Sequence, residues 1–197
     1  TLLPAQREER LSTSFRFGPQ IAGFASEILA LLGETLPLTG NPAKSDRIGA
    51  IDKPRALLCR TNARLLDEMV RALDSGESPF IVGGTSEVES WLEAAAKLQA
   101  GISVESPIEF FGFPNWQALK AASEEDEGAD LKRIVKVIEG YGIDPLRNAL
   151  ARLPRNESDA SLVLATGHKS KGREWDTVSL CDDFLLGVST ESAGKPD

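Results

Sequence analysis

Residues 162–184 read LVLATGHKSKGREWDTVSLCDDF, and this stretch decides the fold. Residues 162–166 are apolar and partly β-branched, which predicts a buried strand, and residues 177–181 predict a second one. The turn between them is rich in donors and contains a glycine: His168, Lys169, Lys171, Gly172 and Arg173. Turns that follow buried parallel strands are where α/β proteins bind anionic ligands. The stretch therefore predicts an α/β protein with a candidate site at the edge of its sheet.

The preceding sequence alternates between strand and helix patterns. Residues 56–59 and 80–82 predict buried strands, and each is followed by an amphipathic helix, over 62–73 and 87–99. Asn62 is the predicted N-cap of the first helix, and Thr85 or Ser86 that of the second. Alternation of this kind predicts a parallel sheet with helical crossovers.

The alternation stops at Gly101 and resumes at Leu162. Between them the sequence predicts helices over 131–141 and 145–153, after an aromatic-rich stretch at 110–116. We therefore predict an α/β domain formed by residues 1–100 and 157–197, interrupted by a helical insertion over residues 101–156.

Composition limits the classes of function. With 197 residues and 41% apolar content, the chain suits one ordinary packed domain. No apolar run approaches the roughly 20 residues that cross a bilayer, so we expect no membrane partner. Cys59 and Cys181 fall in predicted buried strands and suit a reducing compartment, which predicts an intracellular protein, in the cytoplasm or nucleoid if bacterial. The net charge of −8 implies that any nucleic-acid contact is local.

The glycine spacing from Gly167 to Gly172 matches a phosphate-binding P-loop, but its chemistry does not. A P-loop continues with Lys and then Ser or Thr, whereas this chain continues with Arg173 and Glu174. A carboxylate there would repel phosphate. No other stretch of the sequence has the motif, so we expect this chain alone to be inactive in nucleotide hydrolysis.

Three short groups of residues remain as candidates, each with a simpler alternative. His168 is the only histidine, no metal-ligand spacing accompanies it, and a lone histidine is commonly a surface residue. Arg60 and Asn62 follow a predicted strand and so lie at the ligand-binding edge of the sheet, or they are a surface arginine and a helix cap. Phe15 and Arg16 precede a helix; such a pair can stack on a base and bind a phosphate, although the dipeptide is common.

Taken in order, four segments resemble the motifs of one enzyme family. They are residues 11–21 (LSTSFRFGPQI), 56–68 (ALLCRTNARLLDE), 79–89 (PFIVGGTSEVE) and 166–178, with the pattern T-x-H-x-x-K-G-x-E-[FW]-D-x-V. The series resembles superfamily 1 DNA helicases of the UvrD/Rep/PcrA type, nearest to the F-box DNA helicase branch and its bacterial relatives. The resemblance covers the second RecA-like lobe, called 2A, with a shortened 2B-like insertion.

The resemblance implies an ATP site shared with a first RecA-like lobe. That lobe would bind most of the ATP and Mg²⁺, while Arg16 would act catalytically on the γ-phosphate. Phe15 would stack on the adenine. Gly172 and Glu174 would complete the nucleotide site, with Glu174 accepting a hydrogen bond from the ribose hydroxyl.

The resemblance also implies a path for single-stranded DNA. Arg60, Asn62, His168 and Lys171 would contact its backbone and bases. The complete protein would then move 3′ to 5′ along one strand at the expense of ATP. Because Thr1 is not a methionine, we expect the chain to be a piece of such a protein, with Walker motifs upstream and motif VI downstream.

Two departures from the family pattern keep alternatives open. The phenylalanine and the Glu-Ile-x-Asp that the family has after Gly83-Gly84 are absent. This favours a catalytically inactive regulatory or interaction module derived from a helicase. A third alternative is the helicase part of a helicase–nuclease.

Overall fold

The computed structural model describes residues 12–125 and 129–185. The chain divides into two compact units, Thr1–Asp52 and Lys53–Asp197. A boundary near residue 52 was not among the predictions from sequence. The predicted division into 1–100 plus 157–197 and an insertion over 101–156 stays a prediction. Whatever the sequence predicts for residues 1–11, 126–128 and 186–197 lies outside the described residues.

The first unit is built around one helix, α1 (Pro19–Leu31). Pro19 suits the first turn because no helical partner exists for its missing N–H. The carboxylate of Asp46 accepts hydrogen bonds from the backbone N–H groups of Gln20 (3.1 Å) and Ile21 (2.9 Å), and so caps the helix from a distant loop. A Cβ on Gly40 would lie 2.1 Å from the carbonyl oxygen of Gly18, so only glycine permits this approach.

The second unit contains a four-stranded sheet in which every pairing is parallel. The strands are β1 (Ala56–Cys59), β2 (Pro79–Ile81), β3 (Leu162–Thr166) and β4 (Val178–Leu180), in the order β2-β3-β1-β4. All five residues of β3 are buried, as expected for a central strand covered on both faces. The predicted α/β class and parallel sheet are confirmed.

The described residues of this unit form five α-helices. They are α2 (Asn62–Asp74), α3 (Ser86–Gln99), α4 (Trp116–Ser123), α5 (Ala129–Tyr141) and α6 (Ile143–Ala151). Short 3₁₀ turns occupy Ile108–Phe110, Glu157–Asp159 and Asp182–Leu185. Over the described part of residues 101–156 the chain forms helices and turns, and no strand.

The main core lies on one face of the sheet. Leu66 of α2, Trp91 of α3, Leu119 of α4 and Ile138 of α5 are each 1% exposed or less and belong to one apolar cluster. Phe110 is fully buried in the same cluster and contacts Trp116 edge to face, with ring centroids 6.2 Å apart. The helices of residues 101–156 therefore share their core with the sheet.

A crossover without a helix covers part of the opposite face. Because β3 and β4 are both parallel to β1 and flank it, residues 167–177 must return from the carboxyl end of β3 to the amino end of β4. Trp175 packs there against a smaller apolar cluster that includes Val163. The carboxylate of Glu157 accepts a hydrogen bond from Trp175 Nε1 (2.7 Å) and forms an ion pair with Arg173 (2.7 Å). These contacts fix the second half of the crossover.

Candidate functional site

A cavity of about 360 Å³ opens where β1 and β3 end. Neighbouring parallel strands bring their carboxyl ends to one edge, which is the usual ligand-binding edge of an α/β sheet. Its polar wall comes from the last residue of β3, from residues that follow the two strands and from two acidic side chains: Thr166, Arg60, Thr61, Asn62, His168, Lys169, Glu109 and Asp130. Its apolar wall is formed by Ala63, Trp91 and Ile134.

The turn from β1 into α2 is held by two side chains. Thr61 is the N-cap of α2, and its Oγ1 accepts a hydrogen bond from Arg64 N at 3.1 Å. The prediction that Asn62 is the cap is therefore wrong, and Asn62 is free to present its amide elsewhere. Asp183, which is 2% exposed, accepts hydrogen bonds through Oδ2 from the backbone N–H groups of Arg60 (2.9 Å) and Thr61 (3.0 Å). The buried carboxylate fixes the backbone that carries Arg60.

The turn after β3 is anchored to the end of β1. Gly167 N donates to the carbonyl oxygen of Cys59 at 2.9 Å, and Ser170 N donates to that of Thr166 at 2.9 Å. The chain therefore turns tightly and leaves His168 exposed at the mouth of the cavity. Gly172, with φ of +82°, lies in the left-handed region that favours glycine as the crossover begins.

The predicted DNA-contacting residues are only partly brought together. Arg60 and Asn62, from one motif, and His168, from another, line the same cavity. Lys171 does not line it, but is exposed three residues further along, in the crossover. The grouping of the first three was predictable, because residues that follow adjacent parallel strands meet at one edge.

The predicted nucleotide-contacting residues fall in both units. Phe15 and Arg16 belong to the first unit, where Phe15 is 75% exposed. Lys44 Nζ donates to the carbonyl oxygen of Arg16 at 2.8 Å, which ties the backbone of this turn to a distant loop. Gly172 and Glu174 belong to the crossover of the second unit, and both are exposed.

One residue that was not predicted, Glu87, contacts two donors of the cavity. Glu87, in the first turn of α3, accepts a hydrogen bond through Oε1 from Asn62 Nδ2 at 2.5 Å. Its Oε2 lies 3.8 Å from Lys169 Nζ. The carboxylate thus links the turns that follow β1, β2 and β3. The sequence features that could have indicated this link are an acidic residue, Glu87, shortly after Gly83-Gly84, and a lysine, Lys169, next to His168.

Negative charge at the site is substantial. Asp130 accepts a hydrogen bond through Oδ1 from Thr61 Oγ1 at 3.1 Å, and Glu109 also lines the cavity. Together with Glu87 they offset the charges of Arg60 and Lys169. In the described ranges, no group of three or more His, Cys, Asp or Glu side chains is arranged to hold a metal ion.

Two buried thiols lie close together near the site, Cys59 at the end of β1 and Cys181 just after β4. Cys59 Sγ and Cys181 Sγ are 3.5 Å apart, and both cysteines are free, which confirms the prediction of packed thiols. The hydrogen bond between them, reinforced by burial, raises the pKa of Cys59. The same bond, together with the nearby guanidinium of Arg64, lowers the pKa of Cys181. If either thiol ionises, it is therefore Cys181, with Cys59 as the donor.

A comparison with known proteins shows a similarity to a DNA helicase. The chain is 27% identical over 208 residues to F-box DNA helicase protein 1 of Schizosaccharomyces pombe, an alignment covering 93% of this chain and 23% of that protein. The chain thus spans about a quarter of its relative's length. No protein-family model matches the chain, and no solved structure matches it. The similarity supports a relationship to helicases.

No helix in the described part of the chain is long and apolar enough to cross a membrane.

Proposed function

We propose that the chain is the second motor lobe, 2A, of an ATP-dependent superfamily 1 DNA helicase of the UvrD-like type. The complete protein would couple ATP hydrolysis to 3′-to-5′ movement along single-stranded DNA, and its first RecA-like lobe would be the chain's principal partner. One observation carries the proposal: Arg60, Asn62 and His168, selected from two separate motifs, line one cavity at the carboxyl edge of a parallel sheet. The similarity to a DNA helicase along 93% of the chain supports it.

The chemistry of the cavity suits a single strand. The guanidinium of Arg60 can bind a phosphate through two N–H groups, and Asn62 and His168 can hydrogen-bond sugar or base atoms. Lys171, exposed in the crossover, would bind a neighbouring phosphate as a point charge. Because Glu109 and Asp130 also line the cavity, this contact is local and does not depend on a broad positive surface.

The ATP-related part of the proposal rests on Arg16. As the γ-phosphate leaves, negative charge spreads over its oxygens, and a guanidinium stabilises that charge. The anchor from Lys44 to the Arg16 carbonyl and the exposed ring of Phe15 suit a turn that presents both side chains to a nucleotide. Gly172 and Glu174 would contribute from the crossover. The first lobe would hold Mg²⁺ and the β- and γ-phosphates, because no Walker A motif occurs in this sequence.

A catalytically inactive interaction module is the second candidate. The observation that favours it is the negative charge beside the cavity donors, from Glu87, Glu109 and Asp130. Such a module would keep the fold of the helicase lobe, and its binding to partners would not depend on ATP hydrolysis. Either protein would work inside a cell, where the two free thiols, Cys59 and Cys181, remain reduced.

Binding of single-stranded DNA to the 197-residue chain tests the proposal. Fluorescence anisotropy with a labelled oligonucleotide at low ionic strength should detect weak binding, which Arg60→Ala reduces at least fivefold. Arg152→Ala is the matched control, because Arg152 is an exposed arginine at the end of α6, outside the cavity. Equal loss in both variants, or no binding by the wild type, would contradict a DNA site in this cavity.

A further inference from the structure

One carboxylate holds two of the donors that face the proposed DNA site. Glu87 Oε1 accepts the hydrogen bond from Asn62 Nδ2 at 2.5 Å, and Glu87 Oε2 lies 3.8 Å from Lys169 Nζ. The three residues come from three different turns, after β1, β2 and β3. Glu87 is also in the first turn of α3, where the helix dipole favours a negative charge.

The position of Lys169 is set by the backbone of Gly83. A Cβ built on Gly83 would lie 2.8 Å from Lys169 Cδ and 3.1 Å from its Cε, so the lysine stem occupies the space that any other residue would fill. Gly83 also has φ of +89°, which favours glycine. The lysine stem therefore runs across the β2–α3 turn to reach Glu87.

The contact is open to solvent. The side chains of Lys169 and Glu87 are 34% and 38% exposed, so the ion pair is screened and weak. Glu87 accepts from an amide N–H through one oxygen and pairs with an ammonium through the other. The two free oxygens of a phosphodiester could bind the same two donors in the same way. A ligand that brings a phosphodiester to the cavity therefore competes with Glu87 for Asn62 and Lys169.

We propose that Glu87 is an internal competitor of the DNA phosphate. In the absence of DNA it holds Asn62 and Lys169, and a backbone phosphate of single-stranded DNA displaces it and takes both as partners. This inference rests on the proposed function and adds to it an affinity-determining residue, Glu87, and a phosphate contact, Lys169. A contact opposed by an internal anion binds weakly, which suits a lobe that must release its strand at each step.

The test is whether removing the charge of Glu87 raises or lowers the affinity for single-stranded DNA. Glu87→Gln keeps the length of the side chain and an oxygen that accepts from Asn62, but releases Lys169. Affinity for a labelled single-stranded oligonucleotide should rise about three- to tenfold at low ionic strength, and the gain should shrink as salt is added. Glu89→Gln is the matched control: it removes the same charge two residues away on α3, where the carboxylate accepts a hydrogen bond from Thr85.

Glu89→Gln should change the affinity less than twofold. In the double variant Glu87→Gln, Lys169→Ala, the gain should disappear, because the released ammonium is its source. Circular dichroism and thermal melting of each variant establish that the comparison is between folded proteins.

The outcomes separate this inference from the proposed function. If the wild type binds and Glu87→Gln binds equally or more weakly, Glu87 is a structural residue, and the inference fails while the DNA site stands. If Glu89→Gln gains as much as Glu87→Gln, the effect is one of net charge alone, and the inference again fails. If the wild type does not bind single-stranded DNA, the proposed DNA site is wrong, and the inference that rests on it is wrong as well.

Discussion

Arg16 is the side chain on which ATP turnover of the proposed motor would depend most. In the complete protein, Arg16→Ala should lower kcat for ATP hydrolysis by about 10³-fold or more, as for other arginines that act on a leaving γ-phosphate. Binding of DNA should persist. Arg47→Ala is the control, because Arg47 is an exposed arginine of the same unit. A loss below about tenfold, which is about 1.4 kcal/mol, would mean that Arg16 is a surface residue and that residues 11–21 are wrongly assigned to the ATP site.

Lys171 and His168 are three residues apart but should act differently on DNA. Lys171→Ala should weaken single-strand binding and reduce the slope of log affinity against log salt by about 0.7, because one phosphate contact and its counterion are lost. His168→Ala should weaken binding with little change of slope, since we expect the imidazole to contribute hydrogen bonds or stacking with sugar and base atoms, not a phosphate contact. Anisotropy across a salt series measures both. An unchanged slope for Lys171→Ala would remove that residue from the DNA site.

At the scale of elements, the turn between β1 and α2 depends on Asp183. Asp183→Ala would leave the N–H groups of Arg60 and Thr61 without their buried acceptor, and should lower the free energy of unfolding by about 2 kcal/mol or more. Asp183→Asn keeps an oxygen acceptor and should cost less. Asp182→Ala is the matched control. The side chain of Asp182 is 73% exposed, and its Oδ1 forms an ion pair with Arg64 Nη2 at 3.4 Å. Because solvent screens such a pair, its loss should lower the free energy of unfolding by about 0–1 kcal/mol.

Urea unfolding of the four proteins, the wild type included, gives these differences. Equal destabilisation by Asp182→Ala and Asp183→Ala would show that the two backbone hydrogen bonds contribute little. The site would then be held mainly by the caps and strand pairing around it.

Elements that depend on local pattern were predictable, and those that depend on distant partners were not. The four apolar residues of β3, followed by the β-branched Thr166, predicted its bounds as observed, Leu162–Thr166. The helix predicted over 145–153 instead runs Ile143–Ala151, because Pro145 is tolerated within the first turn as well as at its first position. The cap of α2 was placed one residue late, on Asn62 and not on Thr61, since both residue types are good caps.

The composition of the site follows the same rule. Arg60, Asn62 and His168 could be grouped from sequence because each follows a predicted parallel strand. Glu87 could not be assigned, because its role depends on the course of the Gly83-Gly84 turn and on a lysine more than eighty residues away in sequence. Asp183 was missed for a related reason. It accepts hydrogen bonds from backbone N–H groups, and almost every residue type has such a group, so the sequence does not indicate the partner.

At the scale of the whole molecule, the helices of residues 101–156 pack as part of the second unit. Leu119 of α4 is fully buried and belongs to the same apolar cluster as Leu164 of β3. A core shared in this way should unfold cooperatively. An inserted domain with its own core would instead open independently of the sheet. A substitution in a shared core should therefore expose the backbone amides of both sheet and helices to exchange, whereas one in a separate core should expose those of the helices alone.

Leu119→Ala should therefore destabilise sheet and helices together, by about 2–5 kcal/mol. Native-state hydrogen exchange should show the amides of β3 and of α5 losing protection in parallel, by about 30-fold or more, since each 1.4 kcal/mol is a factor of ten. Ile108→Ala is the control: Ile108 is 79% exposed in the same segment and should change protection little. If α5 alone lost protection while β3 kept it, the helical segment would be a separate cooperative unit. The cavity, lined by Asp130 and Ile134 of α5 as well as by residues after β1 and β3, would then lie between two segments able to open independently.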